Sequence, residues 1–249
     1  MPLVEMSNFV NLDGKVSDAQ FYFQDNCIIK KNAYFCKKLN IMTTNNIDLI
    51  KLAWEDAKPQ LGLLIGALII YLVISAIPSL VLPENVSTLV SQIIAGPFSL
   101  GLSYFILSIV RKKDTQISLI FEGFKHFPRA FVAYLLILVL VLVGLVLLIV
   151  PGIIVAMMLS QTFYIMADDE EIGAIDAMKK SKEMMEGYKM KFFGLGLLFV
   201  GLVLLSAFTL FLGLIVLIPV MQVAFAKFYL ELKGDDASIE DQLESNLLG

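Results

Sequence analysis

Four long stretches of the chain contain no charged side chain, and they predict helices that cross a membrane. They run over 59–83, 85–110, 130–167 and 192–226, and Glu84 alone separates the first two. About 20 helical residues cross a hydrocarbon core of about 30 Å. The first two stretches, of 25 and 26 residues, therefore predict one crossing each. The other two, of 38 and 35 residues, are too long for one crossing at ordinary tilt angles.

Each of the two longer stretches is predicted to fold back on itself at a turn. Pro151-Gly152 divides the first, because Pro suits the start of a helix and Gly suits a tight turn. The second divides near Gly213. The sequence thus predicts an all-α, polytopic membrane protein with six transmembrane helices arranged as three hairpins. These helices are expected at about residues 60–82, 87–110, 129–150, 152–168, 190–212 and 214–231.

The basic residues test this count, because Lys and Arg near membrane segments are retained in the cytoplasm. With six crossings all 19 of them fall on one face, and the opposite turns contain one charged residue, Glu84. An arrangement of five or four helices would place a basic loop or tail outside. We therefore expect a multi-pass protein of the plasma membrane with both termini in the cytoplasm. Lys227, near the end of the last helix, is expected to extend its charge to the interface.

A short segment with the same spacing precedes each predicted hairpin: IDLIKLAW from Ile47, ISLIFEGF from Ile117 and IGAIDAMK from Ile172. Each is predicted to form an amphipathic helix on the cytoplasmic leaflet. One helical stripe of the second segment would contain Ile117, Ile120, Phe121, Phe124 and Phe127. The stripe of the third would contain Ala174, Ala177, Met178, Ser181, Met185 and Tyr188. Alternatively these are ordinary linkers, since any polytopic membrane protein has amphipathic connections.

Several short motifs occur in an order that resembles a known family. They are GPFSLG at Gly96, FEGF at Phe121, VPG at Val150, SKEMMEGYKMKFF at Ser181 and AKFY at Ala226. Between about residues 47 and 232 the chain resembles an uncharacterised family of bacterial and archaeal integral membrane proteins, a domain of unknown function. That family is distantly similar to the membrane domain of some glycerophosphodiester phosphodiesterases, which implies a connection with lipid metabolism. The resemblance implies no functional residues.

The composition agrees with a membrane protein and limits the chemistry. Apolar residues make up 58% of the chain and charged residues 17%, against about 25% in soluble domains, and the mean hydropathy is +0.80. Charged side chains within the bilayer would mark an ion or proton pathway, and their absence argues against a pump or a proton-coupled transporter. There is no phosphate loop, catalytic carboxylate pair or nucleophile motif. We expect no enzymatic activity, no cofactor, no metal and no nucleic-acid partner.

Two charged groups beside the predicted spans are open to more than one interpretation. The acidic run from Asp168 to Glu171 could bind a divalent cation against lipid phosphate, but it is more typical of a cap on the following helix. The basic residues at the same surface are candidates for contact with anionic lipid headgroups. These candidates are Arg111, Lys112, Lys113, Lys179, Lys180 and Lys182.

Uncharged polar residues inside the spans form a second candidate site. Ser160, Gln161, Thr162 and Gln222 lie in two of the predicted outward-to-inward helices. They could line a polar path or a headgroup site, or they could form ordinary hydrogen bonds between helices. Gly96-Pro97 and Pro219 are predicted to break or bend their helices, and such breaks are either binding sites or static kinks.

Two functional hypotheses follow. The first is a non-catalytic membrane protein that organises lipids or membrane protein partners, since its basic cytoplasmic surface is rich and its bilayer interior is apolar. The second is a transporter or flippase for a lipid-like or weakly polar solute. A transporter needs a cavity lined by the polar residues near Gln161, whereas an organising protein can bury them in closed packing.

The ends of the chain differ from the span region. Residues 1–41 are polar, rich in Asn and Lys and without periodicity, and we expect a disordered or non-native extension. Cys27 and Cys36 lie in this extension and are expected to be reduced. Residues 42–233 are predicted to form the six-helix membrane domain, and 234–249 an acidic cytoplasmic tail.

Overall fold

The computed structural model describes residues 45–206 and 212–234. The chain divides between Thr43 and Thr44 into two units, and the described residues all belong to the second. The predicted extension over 1–41 therefore lies outside the described residues. The predicted acidic tail does too, apart from Gly234.

The described part of the chain consists of helices joined by short turns, without strands. Its α-helices are α1 (Asn46–Ala57), α2 (Leu61–Val81), α3 (Glu84–Val110), α4 (Phe127–Leu147), α5 (Ile149–Leu159), α6 (Thr162–Asp168), α7 (Ala174–Met184), α8 (Lys189–Ser206) and α9 (Leu212–Lys233). Two 3-10 helices, Lys58–Gln60 and Ile117–Phe124, join α1 to α2 and α3 to α4.

Six helical spans in the described ranges are long and apolar enough to cross a membrane. They are Asn46–Val81, Glu84–Val110, Phe127–Leu147, Ile149–Asp168, Lys189–Ser206 and Gly213–Lys233. This number agrees with the hydropathy pattern, and it indicates a multi-pass membrane protein. Two spans are composite, since α1 continues through a 3-10 turn into α2 and the fourth span contains both α5 and α6.

The break between the third and fourth spans lies three residues before the predicted turn. Leu148 is extended, with φ −163° and ψ 143°, and Pro151 lies in the first turn of α5. Pro is favourable there because the first turn of a helix leaves its N–H groups unpaired. Gly152 instead lies against Gly144 of α4. A Cβ placed on Gly144 would lie 2.8 Å from the Cα of Gly152. The two glycines allow α4 and α5 to approach each other closely.

The breaks expected at the other two prolines also differ from the structure. α3 continues through Pro97 and α9 continues through Pro219, so neither proline ends its helix. The division predicted near Gly213 agrees with the start of α9 at Leu212. Each proline removes one backbone hydrogen bond, and helices packed on neighbours tolerate that loss within a span. The interruption of the fourth span at Ser160 and Gln161 was not predicted.

The segment Ile117–Phe124 packs its backbone directly on α3. A Cβ on Gly101 would overlap the carbonyl oxygen of Ile120, and a Cβ on Gly123 would overlap the carbonyl oxygen of Pro97. The segment is a 3-10 helix rather than the expected α-helix, and its period of three buries Ile120 and Gly123. Phe121, expected on the same stripe as Ile120, is 48% exposed.

The helices before the first and third predicted hairpins bury one face each. In α1 that face contains Leu49, Ala53, Asp56 and Ala57, whereas Ile47 is exposed. Ile47, the first residue of the predicted repeat, is therefore not a contact position of α1, which packs on α9. In α7 and the residue after it, the buried side chains are Ala174, Ala177, Met178, Ser181 and Met185.

The core of the described bundle lies toward the end of the spans that carries the basic residues. Buried side chains are concentrated in the second halves of α3 and α9 and in α6. The side chains at the opposite ends of the spans, the tips, are exposed: Leu80 is 82% exposed and Val146 is 86% exposed. Exposed apolar side chains at these tips suit contact with lipid.

Candidate functional site

A cavity of about 440 Å³ lies at the interruption of the fourth span. Residues of α3, α5, α6, α8 and α9 line it, together with the two residues of the interruption. The polar lining residues are Ser99, Ser103, Ser160, Gln161, Tyr164 and Gln222. The apolar lining residues are Leu102, Ile153, Ala156, Met157, Phe163, Phe192 and Phe225. The volume is within the range of small-molecule sites, and a largely apolar wall with a few polar groups is typical of them.

Ser181 of α7 stabilises the interruption. The backbone N–H of Gln161 donates to Ser181 Oγ at 3.2 Å, and Ser181 Oγ donates to the carbonyl of Met158 at 2.7 Å. In an unbroken helix Gln161 N–H would donate to Met157 and Met158 would accept from Thr162. One buried hydroxyl thus replaces two helical partners, and it satisfies the Gln161 N–H and the Met158 carbonyl at the break.

The amide orientation of Gln161 follows from its neighbour. Ser160 Oγ donates to the carbonyl of Met157 at 2.8 Å, so it accepts, rather than donates, in its contact with Gln161. Gln161 Nε2 lies 3.0 Å from that oxygen and is the donor. Gln161 Oε1 then has no hydrogen-bond partner among the described residues, although the side chain is fully buried. A buried acceptor without a donor costs about 1–3 kcal/mol.

The other hydroxyl groups of the lining direct their hydrogens at backbone carbonyls. Ser99 donates to Ala95 at 2.8 Å, Ser103 donates to Ser99 at 2.9 Å, and Tyr164 donates to Gln222 at 3.3 Å. A hydroxyl that donates to its own helix presents lone pairs to the remaining space. The hydroxyl groups of the lining therefore present acceptors, and the side-chain amide of Gln222 adds both donors and an acceptor.

The cavity brings together three of the four predicted polar residues. Ser160, Gln161 and Gln222 line it, and Thr162 does not. Thr162 is fully buried and donates to the carbonyl of Leu159 at 2.7 Å. Ser99 and Ser103 were missed because single serines in an apolar span give little signal in the sequence.

Asp168, the last residue of α6, joins three helices by ion pairs and a hydrogen bond. Its two carboxylate oxygens lie 2.5 Å from Arg111 Nη2 and 2.5 Å from Lys233 Nζ, and Tyr229 Oη donates to it at 3.0 Å. Arg111, a candidate for lipid headgroups, is thus engaged within the protein.

Asp169 stabilises the turn before α7. Its carboxylate accepts from the backbone N–H groups of Glu171 and Ile172 at 3.1 and 3.2 Å. The N-cap of α7 is Gly173, without a side-chain cap, so the predicted cap of this helix by the acidic run is wrong. Within the described ranges no group of three or more His, Cys, Asp or Glu side chains could hold a metal ion.

Lys227 of α9 is fully buried and does not extend to the interface. Its Nζ lies 2.6 Å from Oδ2 of Asp56, which α1 also buries. Nearby, Lys191 of α8 pairs with Glu231 at 3.1 Å. The signal for the first pair was present in the sequence, because Asp56 shares the helical face of Leu49 and Ala53.

The remaining basic candidates stay at the surface. Lys112, Lys113, Lys179, Lys180 and Lys182 are exposed. Lys179 contacts Asp176, one turn earlier in α7, at 3.2 Å, and such an exposed pair contributes little to stability. These five lysines remain accessible to an anionic surface.

The fold and the cavity define the protein as a multi-pass helical membrane protein with a largely apolar site between its helices. Residues 136–236, from within α4 to just beyond α9, match the family described as "Protein of unknown function (DUF975)". This stretch contains most of the cavity lining, from Ile153 to Phe225. No curated protein and no solved structure matches the chain. The similarity to the membrane domain of glycerophosphodiester phosphodiesterases stays a prediction.

Proposed function

We propose that the protein binds a lipid-like or weakly polar solute in the cavity at Gln161 and moves it as a transporter or flippase, without catalysis. The observation that carries this proposal is the cavity of about 440 Å³ at an interrupted span, one of whose lining residues, Gln161, has a buried, unpartnered acceptor. Transporters build binding sites at such interruptions, because broken helices free polar groups within the membrane.

The proposal includes the arrangement of the chain in the membrane. The six spans form three hairpins in the plasma membrane, with both termini and the basic loops in the cytoplasm. The 3-10 segment Ile117–Phe124 and α7 lie along the cytoplasmic leaflet as amphipathic elements. In this arrangement the interruption lies about 10 Å from the cytoplasmic end of the fourth span. Asp168 lies seven positions after Gln161, and each helical residue adds about 1.5 Å.

Filling the cavity tests transport. Ala156 lines the exposed mouth of the cavity, whereas Ile154, two residues earlier in α5, is also exposed but does not line it. Purified protein would be reconstituted into phosphatidylcholine vesicles that contain a trace of an NBD-labelled lipid with an uncharged, hydroxylated head, and dithionite would bleach the label that reaches the outer leaflet.

In vesicles that contain unmodified protein or the matched control Ile154→Trp, we expect dithionite to bleach the labelled lipid of both leaflets, because the protein moves lipid from the inner leaflet to the outer one. Ala156→Trp should reduce bleaching to that of protein-free vesicles, because its indole occupies the cavity. Equal bleaching by the two Trp variants would contradict a path through this cavity.

A second candidate function is the organisation of anionic lipids, and the five exposed lysines favour it. Each basic group near an anionic surface contributes about 1 kcal/mol. Replacement of all five by Gln should lower the phosphatidylglycerol that co-purifies with the protein and leave co-purified phosphatidylcholine unchanged. Native mass spectrometry counts both lipids, and equal phosphatidylglycerol retention would exclude this role for the lysines.

A further inference from the structure

We infer that the solute carries an uncharged hydrogen-bond donor, a hydroxyl group, on an apolar chain. This inference rests on the proposed function, since it names the chemistry of the molecule that occupies the same cavity. Three features of the lining support it: the orientation of its hydroxyl groups, the absence of charge and the apolar rings of its wall.

Most polar side chains of the lining present acceptors, and Gln222 alone among the lining residues offers a free amide donor group. Ser99, Ser103 and Ser160 have committed their hydrogens to backbone carbonyls, and Gln161 Oε1 has no partner. A hydroxyl of the solute can donate to one of these oxygens. A methyl ether or an ester brings further acceptors and leaves the Gln161 oxygen unpaired. Because that oxygen is buried behind the cavity wall, the Gln161 side chain must rotate toward the solute to accept from it.

Charge in the lining is absent, and this excludes charged headgroups. None of the residues that line the cavity is Asp, Glu, Lys, Arg or His. Charged side chains of the helices around the cavity are paired with one another, Asp168 with Arg111, Lys191 with Glu231 and Lys227 with Asp56. A carboxylate, phosphate or ammonium group would enter an apolar wall without a counter-charge, at a large desolvation cost. A neutral hydroxyl avoids that cost.

The lining suits an alkyl chain with a small head. Ile153 and Ala156 of the lining are exposed, so the cavity opens at the surface of the bundle and part of a long chain can extend from it. A medium-chain alcohol or a monoacylglycerol has the required hydroxylated head. The rings of Phe163, Phe192 and Phe225 provide the apolar surface against which such a chain would pack.

Three photoreactive probes with the same ten-carbon diazirine tail test the inference. They differ in the head alone: a hydroxyl, its methyl ether and a carboxylate. After irradiation of the protein in phosphatidylcholine nanodiscs, mass spectrometry compares labelling of the cavity residues 153–164 with labelling of the exposed tip 145–150. Labelling of the tip residues measures how much of each probe partitions into the bilayer.

We expect the tip-normalised labelling of the cavity to be at least about fivefold higher for the hydroxyl probe than for the other two. In Gln161→Met the advantage of the hydroxyl over the ether should fall severalfold. Gln92→Met is the matched control, because Gln92 accepts from Tyr134 at 2.6 Å outside this cavity and should leave the ratio unchanged.

The outcomes separate the two proposals. If no probe labels the cavity residues more strongly than the tip residues, the proposed function fails and this inference fails with it. If the ether or the carboxylate labels the cavity as strongly as the hydroxyl, binding stands and the inference is wrong. The comparison of the three heads uses unmodified protein, so it decides the question even if Gln161→Met does not fold.

Discussion

At the scale of single residues, one buried hydroxyl makes the interruption of the fourth span possible. Ser181 accepts from Gln161 N–H and donates to the Met158 carbonyl, which are two of the backbone groups that the break deprives of helical partners. The sequence placed Ser181 correctly on the stripe that α7 buries, but it did not indicate the partner. Periodicity identifies a buried face, whereas the groups that meet this face belong to another element.

Ser181→Ala should destabilise the protein by about 1–3 kcal/mol, because two buried backbone groups lose their partner. Ser79→Ala is the control, since Ser79 is exposed and donates within its own helix to Ala76. Thermal unfolding in detergent, followed by the fluorescence of Trp54, measures the difference. Equal melting temperatures for the two variants would show that the Ser181 bridge does not stabilise the break.

The buried pair of Lys227 and Asp56 gives a second prediction at this scale. Lys227→Met leaves the Asp56 carboxylate buried without a counter-charge, and we expect a loss of about 3–5 kcal/mol. The double variant Lys227→Met with Asp56→Leu should recover most of this loss, because no charge remains buried. Denaturant unfolding of the two single variants and the double variant measures the coupling. A double variant no more stable than Lys227→Met would contradict an ion pair.

At the scale of elements, the close contact between α3 and the segment Ile117–Phe124 fixes where this segment lies. Gly101 and Gly123 each meet a backbone carbonyl of the other element. The sequence predicted an amphipathic α-helix here from apolar spacing, and the segment is a 3-10 helix instead. Hydrophobic spacing does not encode the backbone contact that favours the tighter helix.

Gly101→Ala should prevent stable folding, since its Cβ would overlap the Ile120 carbonyl and neither backbone can yield without repacking. Gly196→Ala and Gly201→Ala in α8 are matched controls, because a Cβ at either position meets no atom within 4 Å. These two should stabilise α8 by up to about 1 kcal/mol each. The yield of monodisperse protein and its melting temperature test both directions. Normal folding of Gly101→Ala would contradict the described contact.

At the scale of the whole molecule, the proposed topology predicts which positions face outward. In a chain with Cys27 and Cys36 replaced by Ser, single cysteines at Glu84 and Leu148 should react with an impermeant maleimide added to intact cells. Cysteines at Lys113 and Lys180 should react after lysis alone. Labelling of Lys113 or Lys180 in intact cells would invert the topology, and an unlabelled Leu148 beside a labelled Glu84 would make the middle pair of helices re-entrant.

The sequence by itself determined the class of protein and the number of spans. Hydropathy is a sum over neighbouring residues, so six stretches that suit a hydrocarbon core can be recognised without knowledge of their partners. The selection of Ser160, Gln161 and Gln222 also followed from local reasoning, since polar groups are rare within apolar spans.

The tertiary structure alone decided how these polar groups are used. Thr162 forms a hydrogen bond within its own chain segment, Gln161 keeps an unpartnered oxygen, and Ser99 and Ser103 join the lining from another helix. The break itself depends on a serine 20 residues away, and the buried lysine depends on an aspartate in α1. Cavities and buried pairs form where elements distant in the sequence meet. Local composition and periodicity do not specify which elements meet, so they cannot predict these contacts.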